Sequence, residues 1–222
     1  MIRLTCKAIL FDLDGVLADS TAIVDRVWRE WAAERGFDGD ALMSIAHGRP
    51  AAEVIAAVAP QLSVEKEVRE LEEREADASG VVPIAGAMTL VASLPEGSWA
   101  VVTSGTPPLA ASRLSAIGAP EPRVLITAND VRAGKPNPEG YVHAARRLGA
   151  APAECVVIED SPAGVEAARA GDMAVIGVTT TFPAENLTGV AAHVNSLEAV
   201  ILESVVAEDD GLPLLTLSVD AL

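Results

Sequence analysis

The 222-residue chain carries 32 acidic and 16 basic side chains, a formal net charge of −16, and 50% of its residues are hydrophobic. This length and composition suffice to bury a full core, so we expect most of the chain to be ordered. The excess of negative charge argues against nucleic acid or an anionic membrane surface as a partner. A phosphate-bearing ligand would therefore have to be held by local groups.

The two cysteines and the lack of long apolar runs bear on the compartment. Cys6 and Cys155 each stand in or beside an apolar run typical of a strand, so neither a disulfide framework nor a zinc site is indicated. No uncharged run reaches the ~20 apolar residues of a membrane span, and the N-terminus lacks a signal-peptide core. We expect a cytoplasmic protein without a membrane partner. The oligomeric state stays open, with a monomer favoured.

The first predicted element is a buried strand that ends in two aspartates. Residues 8–11 are apolar, Asp12 and Asp14 follow two positions apart, and Gly15 allows a sharp turn. Two carboxylates held this close repel each other unless a cation or a proton intervenes. A plain turn after a strand would give the same pattern, so the rest of the chain has to decide between the two interpretations.

A helical block follows this strand. The apolar spacing predicts three helices: residues 20–35, 50–59 and 64–79. The third is highly charged and is interpreted as a solvated face. No strand pattern appears between residues 20 and 97. We therefore predict a helical cap domain over residues 17–82, inserted into a core domain formed by residues 1–16 and 83–222.

From residue 83 onward, predicted strands alternate with predicted helices. The strands are residues 99–102, 124–127, 156–158 and 174–178, and the helices are residues 87–94, 108–117, 138–148 and 162–170. Three of the helices open with a capping residue before proline, at Thr106, Asn137 and Ser161. This alternation predicts an α/β fold with a Rossmann-like parallel sheet covered on both faces. Residues 205–222 could add an edge strand or cover a surface.

In parallel sheets, ligands bind beyond the carboxyl ends of the strands. The polar residues expected at that edge are Asp12, Asp14, Thr103, Ser104, Lys135, Glu159 and Asp160. The carboxylates would supply the oxygen ligands that Mg²⁺ prefers, and Lys135 would offset negative charge. The Thr103 hydroxyl and the N–H groups after it would bind phosphoryl oxygens. Each residue alone has a plainer interpretation as a strand end, a loop lysine or a helix cap, but together these would require four coincidences at one edge.

Four segments of the chain resemble the four motifs of the haloacid dehalogenase superfamily, in the order of that family. They are the segments 12–16 (DLDGV), 101–105 (VVTSG), 134–139 (GKPNPE) and 157–164 (VIEDSPAG). The resemblance extends from about residue 8 to residue 178. The helical insertion is similar to the mobile cap of the beta-phosphoglucomutase-like subgroup. Residues His47 and Arg49 are similar to cap segments of its sugar phosphatases and become candidate substrate contacts, although a surface loop would explain them as well.

The resemblance implies a role for each motif residue. Asp12 would be the nucleophile that forms an aspartyl-phosphate, and Asp14 would be the general acid and base whose backbone carbonyl also ligates Mg²⁺. Thr103, Ser104 and Lys135 would bind phosphate. The metal site would be completed by Glu159 and Asp160. The implied partner is a small phosphorylated metabolite, admitted and enclosed by the cap.

Hydrolysis of a small sugar or polyol phosphate is the predicted reaction. Beta-phosphoglucomutases typically carry a threonine at the hinge after the first motif and a histidine soon after it, whereas this chain has Ala18 there and no histidine before His47. A mutase remains the alternative. A non-catalytic phosphate-binding protein is a third possibility, which the presence of both Asp12 and Asp14 disfavours. Tyr141 and His143 are interpreted as a packing and a surface residue.

Overall fold

The computed structural model of the chain describes residues 1–46, 51–208 and 211–222. The helices in these residues are α1 (Thr21–Glu34), α2 (Gly39–Ala46), α3 (Ala51–Val58), α4 (Val64–Asp77), α5 (Ala87–Ser93), α6 (Pro107–Ala116), α7 (Glu139–Leu148) and α8 (Pro162–Ala170). The strands are β1 (Ile2–Cys6), β2 (Ala8–Phe11), β3 (Ala18–Asp19), β4 (Val82–Pro83), β5 (Trp99–Val102), β6 (Leu125–Ile126), β7 (Cys155–Glu159), β8 (Ala174–Val178), β9 (Ala192–Val194), β10 (Val200–Val206) and β11 (Leu214–Val219). No helix within these residues is long and apolar enough to cross a membrane.

A six-stranded parallel sheet in the order β6-β5-β2-β7-β8-β9 forms the centre of the fold. This confirms the predicted α/β architecture. All four residues of β2 are fully buried, and they alternate between the two faces of the sheet. Ile9 and Phe11 join one apolar cluster, while Leu10 joins the other beside Tyr141 of α7. Asp12, the next residue along the chain, therefore leaves the sheet at its carboxyl edge.

A second sheet joins the two ends of the chain. It is antiparallel in the order β1-β11-β10, and Ile2 pairs with Val219. The tail segment β11 lies in the middle of this sheet, so of the two roles that the sequence left open for residues 205–222, an edge strand does not apply to β11. Strand β1 was also missed, because its partner is more than 200 residues away and only Lys7 separates it from β2.

The helices α1 to α4 pack against one another within residues 21–77. Trp31 of α1 is fully buried, and its Nε1 donates to Glu67 Oε2 of α4 at 2.8 Å. Helix α4 is thus not only a solvated face, because its Glu67 and Glu75 are both buried. Helix α2 was not predicted from the sequence.

Two short strands pair where the chain leaves the sheet for these helices and where it returns. They are β3 and β4, and Ala18 lies opposite Pro83. Strand β4 contradicts the expectation of no strand between residues 20 and 97, since two residues are too short to give a pattern. The division at residues 17 and 82 stays a prediction.

The three helix starts marked by proline differ in how they are capped. The Ser161 hydroxyl accepts a hydrogen bond from the Gly164 N–H of α8 at 3.1 Å, as predicted. The Asn137 side chain accepts from the Glu139 N–H at 3.0 Å, one position before the observed cap. Thr106 precedes α6 without a side-chain capping bond. Each of the three predicted helix starts is therefore correct to within about one residue.

Candidate active site

The carboxyl edge of the sheet brings the predicted polar residues together. Asp12 follows β2, Thr103 follows β5, and Glu159 is the last residue of β7. The Asp12 N–H donates to the Ile158 carbonyl at 3.0 Å, which fixes the backbone of Asp12 beside the end of β7. The loop between β6 and α7 supplies Lys135. The arrangement expected from the sequence is therefore present at this edge.

Lys135 lies between two carboxylates. Its Nζ donates to Asp12 Oδ1 at 2.6 Å and to Glu159 Oε1 at 2.6 Å, and 11% of its side chain is exposed. The Lys135 ammonium also lies 5.2 Å from the centre of the Tyr141 ring. The two ion pairs outweigh burial and raise the pKa of Lys135, so its charge is permanent at neutral pH.

Glu159 is the most heavily bonded of the acidic residues. Its Oε2 accepts hydrogen bonds from the Asp160 N–H, the Ser161 N–H and the Ser161 hydroxyl at 2.8 to 3.0 Å. Its Oε1 accepts from the buried Tyr141 hydroxyl at 2.9 Å in addition to Lys135. Tyr141 therefore does more than pack, contrary to our interpretation of the sequence. No local pattern separates it from an ordinary helix residue.

Two glycines leave room for the side chains of Glu159 and Asp160. A Cβ on Gly164 would lie 1.6 Å from Glu159 Oε1, and a Cβ on Gly15 would lie 2.0 Å from Asp160 Oδ2. Gly15 also has φ +81°, a region that side chains disfavour. Both positions therefore require glycine for a steric reason that the sequence motifs do not reveal.

The carboxylates of the cluster differ in their protonation. Burial raises the pKa of Asp12 to about 7, an effect that the Lys135 charge reduces and the Glu159 charge increases. Burial raises the pKa of Asp160 well above its usual value, and the charges of Asp12 and Glu159 raise it further. Burial also acts on Glu159, but Lys135 and the other donors outweigh it and lower its pKa. If all three carboxylates were ionised, their negative charge would exceed what one lysine can balance, and the raised pKa values of Asp12 and Asp160 reflect this.

A divalent cation fits this excess charge. Asp12, Glu159 and Asp160 are all buried, and one carboxylate oxygen from each lies within 4.8 Å of the others. Hard carboxylate oxygens at this spacing suit Mg²⁺. A cation bound there would lower the pKa values of Asp12 and Asp160, which burial raises. Of the three residues, Asp12 and Asp160 have fewer donors already bound to their oxygens than Glu159 has.

Thr103 and Ser104 border a cavity of about 140 Å³ beside this cluster, which Lys135 and Tyr141 also line. Thr103 is buried, and its Oγ1 accepts from the Gly105 N–H at 3.0 Å, so the hydroxyl proton stays available to a ligand. Ser104 is exposed. This placement suits the phosphate-binding role predicted for both residues.

Asp14 contacts a second cationic group. Its Oδ1 accepts from the Ser20 hydroxyl at 2.6 Å and from Arg113 Nε of α6 at 2.9 Å. Neither Arg113 nor Ser20 was predicted from the sequence as a site residue. The two predicted substrate contacts, His47 and Arg49, lie outside the described residues.

Comparison with known proteins gives matches over most of the chain. Residues 6–172 match the family of haloacid dehalogenase-like hydrolases. The chain is 38% identical to hexitol phosphatase A of Escherichia coli (strain K12) over 201 residues, which cover 88% of this chain and 93% of that protein. It is 34% identical over 197 residues to glycerol-1-phosphate phosphohydrolase 2 of Saccharomyces cerevisiae, covering 82% and 78% of the two chains. Among solved structures, CbbY from Rhodobacter sphaeroides in complex with phosphate is similar with a TM-score of 0.73 and 25% identity, over 86% of this chain and 95% of that one.

Proposed function

The chain belongs to the haloacid dehalogenase-like hydrolase family and is a phosphatase, and we propose that it hydrolyses small polyol or sugar phosphate monoesters through an aspartyl-phosphate on Asp12. The observation that carries this proposal is the ion pair between Asp12 and Lys135 at the carboxyl edge of the sheet, where only 12% and 11% of the two side chains are exposed. A carboxylate nucleophile beside a fixed positive charge is suited to attack on a phosphoryl group.

In the first half of the reaction, an oxygen of Asp12 attacks the phosphorus atom and the bond from phosphorus to the ester oxygen breaks. Lys135 holds Oδ1, and no described residue donates to Oδ2, which leaves Oδ2 as the attacking atom. Asp14 gives its proton to the departing alkoxide, which leaves as the free alcohol. The Thr103 hydroxyl and the neighbouring N–H groups bind the equatorial phosphoryl oxygens.

In the second half, water attacks the phosphorus atom of the aspartyl-phosphate. Asp14 now takes a proton from the water, the bond from phosphorus to Asp12 breaks, and inorganic phosphate leaves. Both protein carboxyls return to their starting states. Splitting hydrolysis in this way explains why two carboxylates are held so close together at the end of β2.

The proposed cofactor is Mg²⁺, held by Asp12, Glu159 and Asp160 together with the backbone carbonyl of Asp14. When bound, the cation would neutralise charge on the transferring phosphoryl group. The Lys135 ammonium, held in place by Asp12 and Glu159, would also neutralise charge on the phosphoryl group. Tyr141 supports the orientation of Lys135 indirectly, because the Tyr141 hydroxyl donates to the same Glu159 oxygen that accepts from Lys135.

The proposed substrates follow from the relatives. One relative is named as a hexitol phosphatase and another as a glycerol-1-phosphate phosphohydrolase, and hexitols and glycerol are both polyols. We assign the helices of residues 21–77 the role of a cap that encloses such a small ester, with His47 and Arg49 as candidate contacts to its hydroxyl groups. The two buried free thiols, Cys6 and Cys155, support a reducing, cytoplasmic location.

A panel of phosphate esters tests the proposal. Phosphate release is measured from hexitol, glycerol, hexose and nucleoside monophosphates, with Mg²⁺ and with a chelator. We expect Mg²⁺-dependent release that is fastest for a polyol or sugar ester. Isomerisation of a sugar phosphate without phosphate release would overturn the proposal in favour of a mutase. Binding of phosphate without turnover of any ester would overturn it in favour of a phosphate-binding protein.

A further inference from the structure

Arg113 is a fully buried arginine that belongs to none of the sequence motifs. It lies in α6, on the helix that follows β5, and three of its nitrogens have partners. Nε donates to Asp14 Oδ1 at 2.9 Å, Nη2 to Glu75 Oε2 at 2.9 Å and Nη1 to the Glu75 carbonyl at 3.0 Å. Burying a guanidinium away from water costs free energy unless acceptors bind its N–H groups. One planar group therefore links the proposed general acid to helix α4.

At one end of this link, two donors act on the same carboxylate oxygen. Ser20 and Arg113 both donate to Asp14 Oδ1, and within the described part of the chain no residue donates to Oδ2. Two hydrogen bonds on one oxygen restrict rotation of the carboxyl group. Oδ2 is then the oxygen available for proton exchange with substrate or water.

At the other end, the link contacts both the backbone and the side chain of Glu75 near the C-terminus of α4. The neighbouring contact between these helices is the Ser112 hydroxyl, which donates to the Ala76 carbonyl at 2.5 Å. Both contacts join α4 to α6, but Arg113 alone of these two continues to Asp14. A displacement of α4 would therefore move the guanidinium and, through it, the Asp14 carboxyl.

We propose that Arg113 is a positioning residue that orients the Asp14 carboxyl for proton transfer and takes its own orientation from Glu75 in α4. The inference rests on the proposed function, since that function assigns the proton transfer to Asp14. Misplacing a reacting group by about 1 Å can cost about 10²-fold in rate. A purely structural role, in which Arg113 only neutralises buried Glu75, would affect stability but not one chemical step selectively.

The test uses two esters that differ in their need for an acid. The alkoxide of a polyol phosphate requires protonation to leave, whereas the phenolate of 4-nitrophenyl phosphate leaves without it. For Arg113→Lys we expect kcat on the polyol phosphate to fall about 10²-fold with KM nearly unchanged. With the aryl ester, the first turnover should stay fast and give a phenolate burst equal to the enzyme concentration. The following steady state should be slow, because water attack still needs Asp14.

Equal slowing of both esters from the first turnover onward, or a change confined to KM, would overturn the positioning role while leaving the proposed function intact. Wild-type protein that hydrolyses neither ester would overturn the proposed function, and the positioning role with it. The two failures are thus distinguishable in one set of measurements.

A second variant keeps the test valid if Arg113→Lys does not fold. We expect Glu75→Leu to lower kcat on the polyol phosphate about 10-fold by releasing the guanidinium from α4. An unchanged kcat in folded Glu75→Leu would by itself contradict the proposal. Where Arg113→Lys does fold, adding Glu75→Leu to it should cause no further fall in kcat, because both changes act through the same contact. Independent, multiplying effects would contradict the proposal. Arg74→Ala, which removes partly exposed ion pairs from the same helix to Glu34 and Glu70, is the matched control and should leave kcat unchanged.

Discussion

Within the described residues, two cations next to the proposed reacting groups each bridge a pair of carboxylates: Lys135, whose side chain is 11% exposed, and the fully buried Arg113. Lys135 joins Asp12 to Glu159 across the end of the sheet, and Arg113 joins Asp14 to Glu75 between α6 and α4. The first bridge lies entirely among residues of recognisable motifs. The second connects a motif residue to a helix whose sequence is typical of a solvated surface.

The two bridges are expected to have different roles in the reaction. Lys135 contacts the proposed nucleophile itself, so its charge acts on the reacting atoms. Of the proposed reacting groups, Arg113 contacts only Asp14, which moves protons, and its other partner is Glu75 in α4. The first bridge is expected to determine whether the reaction occurs, and the second to determine how well one carboxyl is oriented for it.

The largest expected effect is that of Lys135→Met. Removing the cation leaves Asp12, Glu159 and Asp160 facing each other in a buried site, so we expect a fall in kcat of about 10³-fold and a loss of about 3 kcal/mol in unfolding free energy. Steady-state kinetics and urea unfolding, each with and without Mg²⁺, measure these effects. Added Mg²⁺ should restore part of the stability. A variant with near wild-type kcat would show that the Lys135 bridge is not part of the chemistry.

Gly164→Ala tests the same bridge without changing any charge. The added Cβ has to displace Glu159, which anchors Lys135, so we expect a destabilisation of about 2 kcal/mol together with a fall in kcat. Thermal unfolding and kinetics provide the measurement. Gly39→Ala is the matched control, since its Cβ would be 3.4 Å from the nearest Arg29 atom. Equal behaviour of the two variants would contradict the steric account.

Glu75→Gln tests the protonation of the second bridge. Burial raises the pKa of Glu75 to about 7 from 4.5, an effect that Arg113 reduces and that Asp14 and Glu72 increase. Because the folded state holds this proton more tightly, the contribution of Glu75 to stability is fully present below about pH 4.5 and is lost as the pH rises through about 7. Glutamine cannot titrate. The wild type should therefore lose about 2 kcal/mol relative to the variant between pH 5 and pH 8.

Urea unfolding of both proteins at the two pH values measures this difference. The titrations of Asp12 and Asp160 are common to both proteins and largely cancel in the comparison. A difference in stability that is independent of pH would show that Glu75 is already ionised in the folded protein at pH 5.

The smallest effect is expected for Arg74→Ala. This arginine contacts Glu34 and Glu70 at 2.6 Å, but all three side chains are at least 30% exposed. Exposed ion pairs contribute about 1 kcal/mol or less and are screened by salt. Unfolding at low and high salt should show a small loss that shrinks as salt is added. A loss as large as that of Lys135→Met would remove the distinction between buried bridges and surface pairs.

The sequence predicted the parallel sheet and the composition of the Lys135 bridge because both are encoded locally. Apolar runs such as Ala8–Phe11 mark the strands, and short polar motifs directly after them mark the carboxyl edge. The pairing of β1 with β11 could not be predicted in this way, because the partners come from opposite ends of the chain. Two-residue strands such as β4 are too short to show any pattern.

The second bridge was missed for a similar reason. Arg113 and Asp14 are 99 residues apart, and Arg113 and Glu75 are 38 apart, so their contact depends on how α4 packs on α6. In sequence, Glu75 is one of many acidic residues in a charged helix. Tyr141 likewise has no local signal of its hydrogen bond to Glu159. Side chains that support a reacting group are identified by tertiary contacts, whereas the reacting groups themselves follow from motifs.

The most direct test of the central claim is phosphate release by wild-type protein and by Asp12→Asn, each with and without Mg²⁺, on the best polyol phosphate. We predict Mg²⁺-dependent release by the wild type and a loss of at least about 10³-fold in the variant. The variant should unfold at no lower temperature than the wild type in the absence of Mg²⁺, since burial already disfavours the charged form of Asp12. Undiminished release by a folded Asp12→Asn protein would contradict the aspartyl-phosphate mechanism.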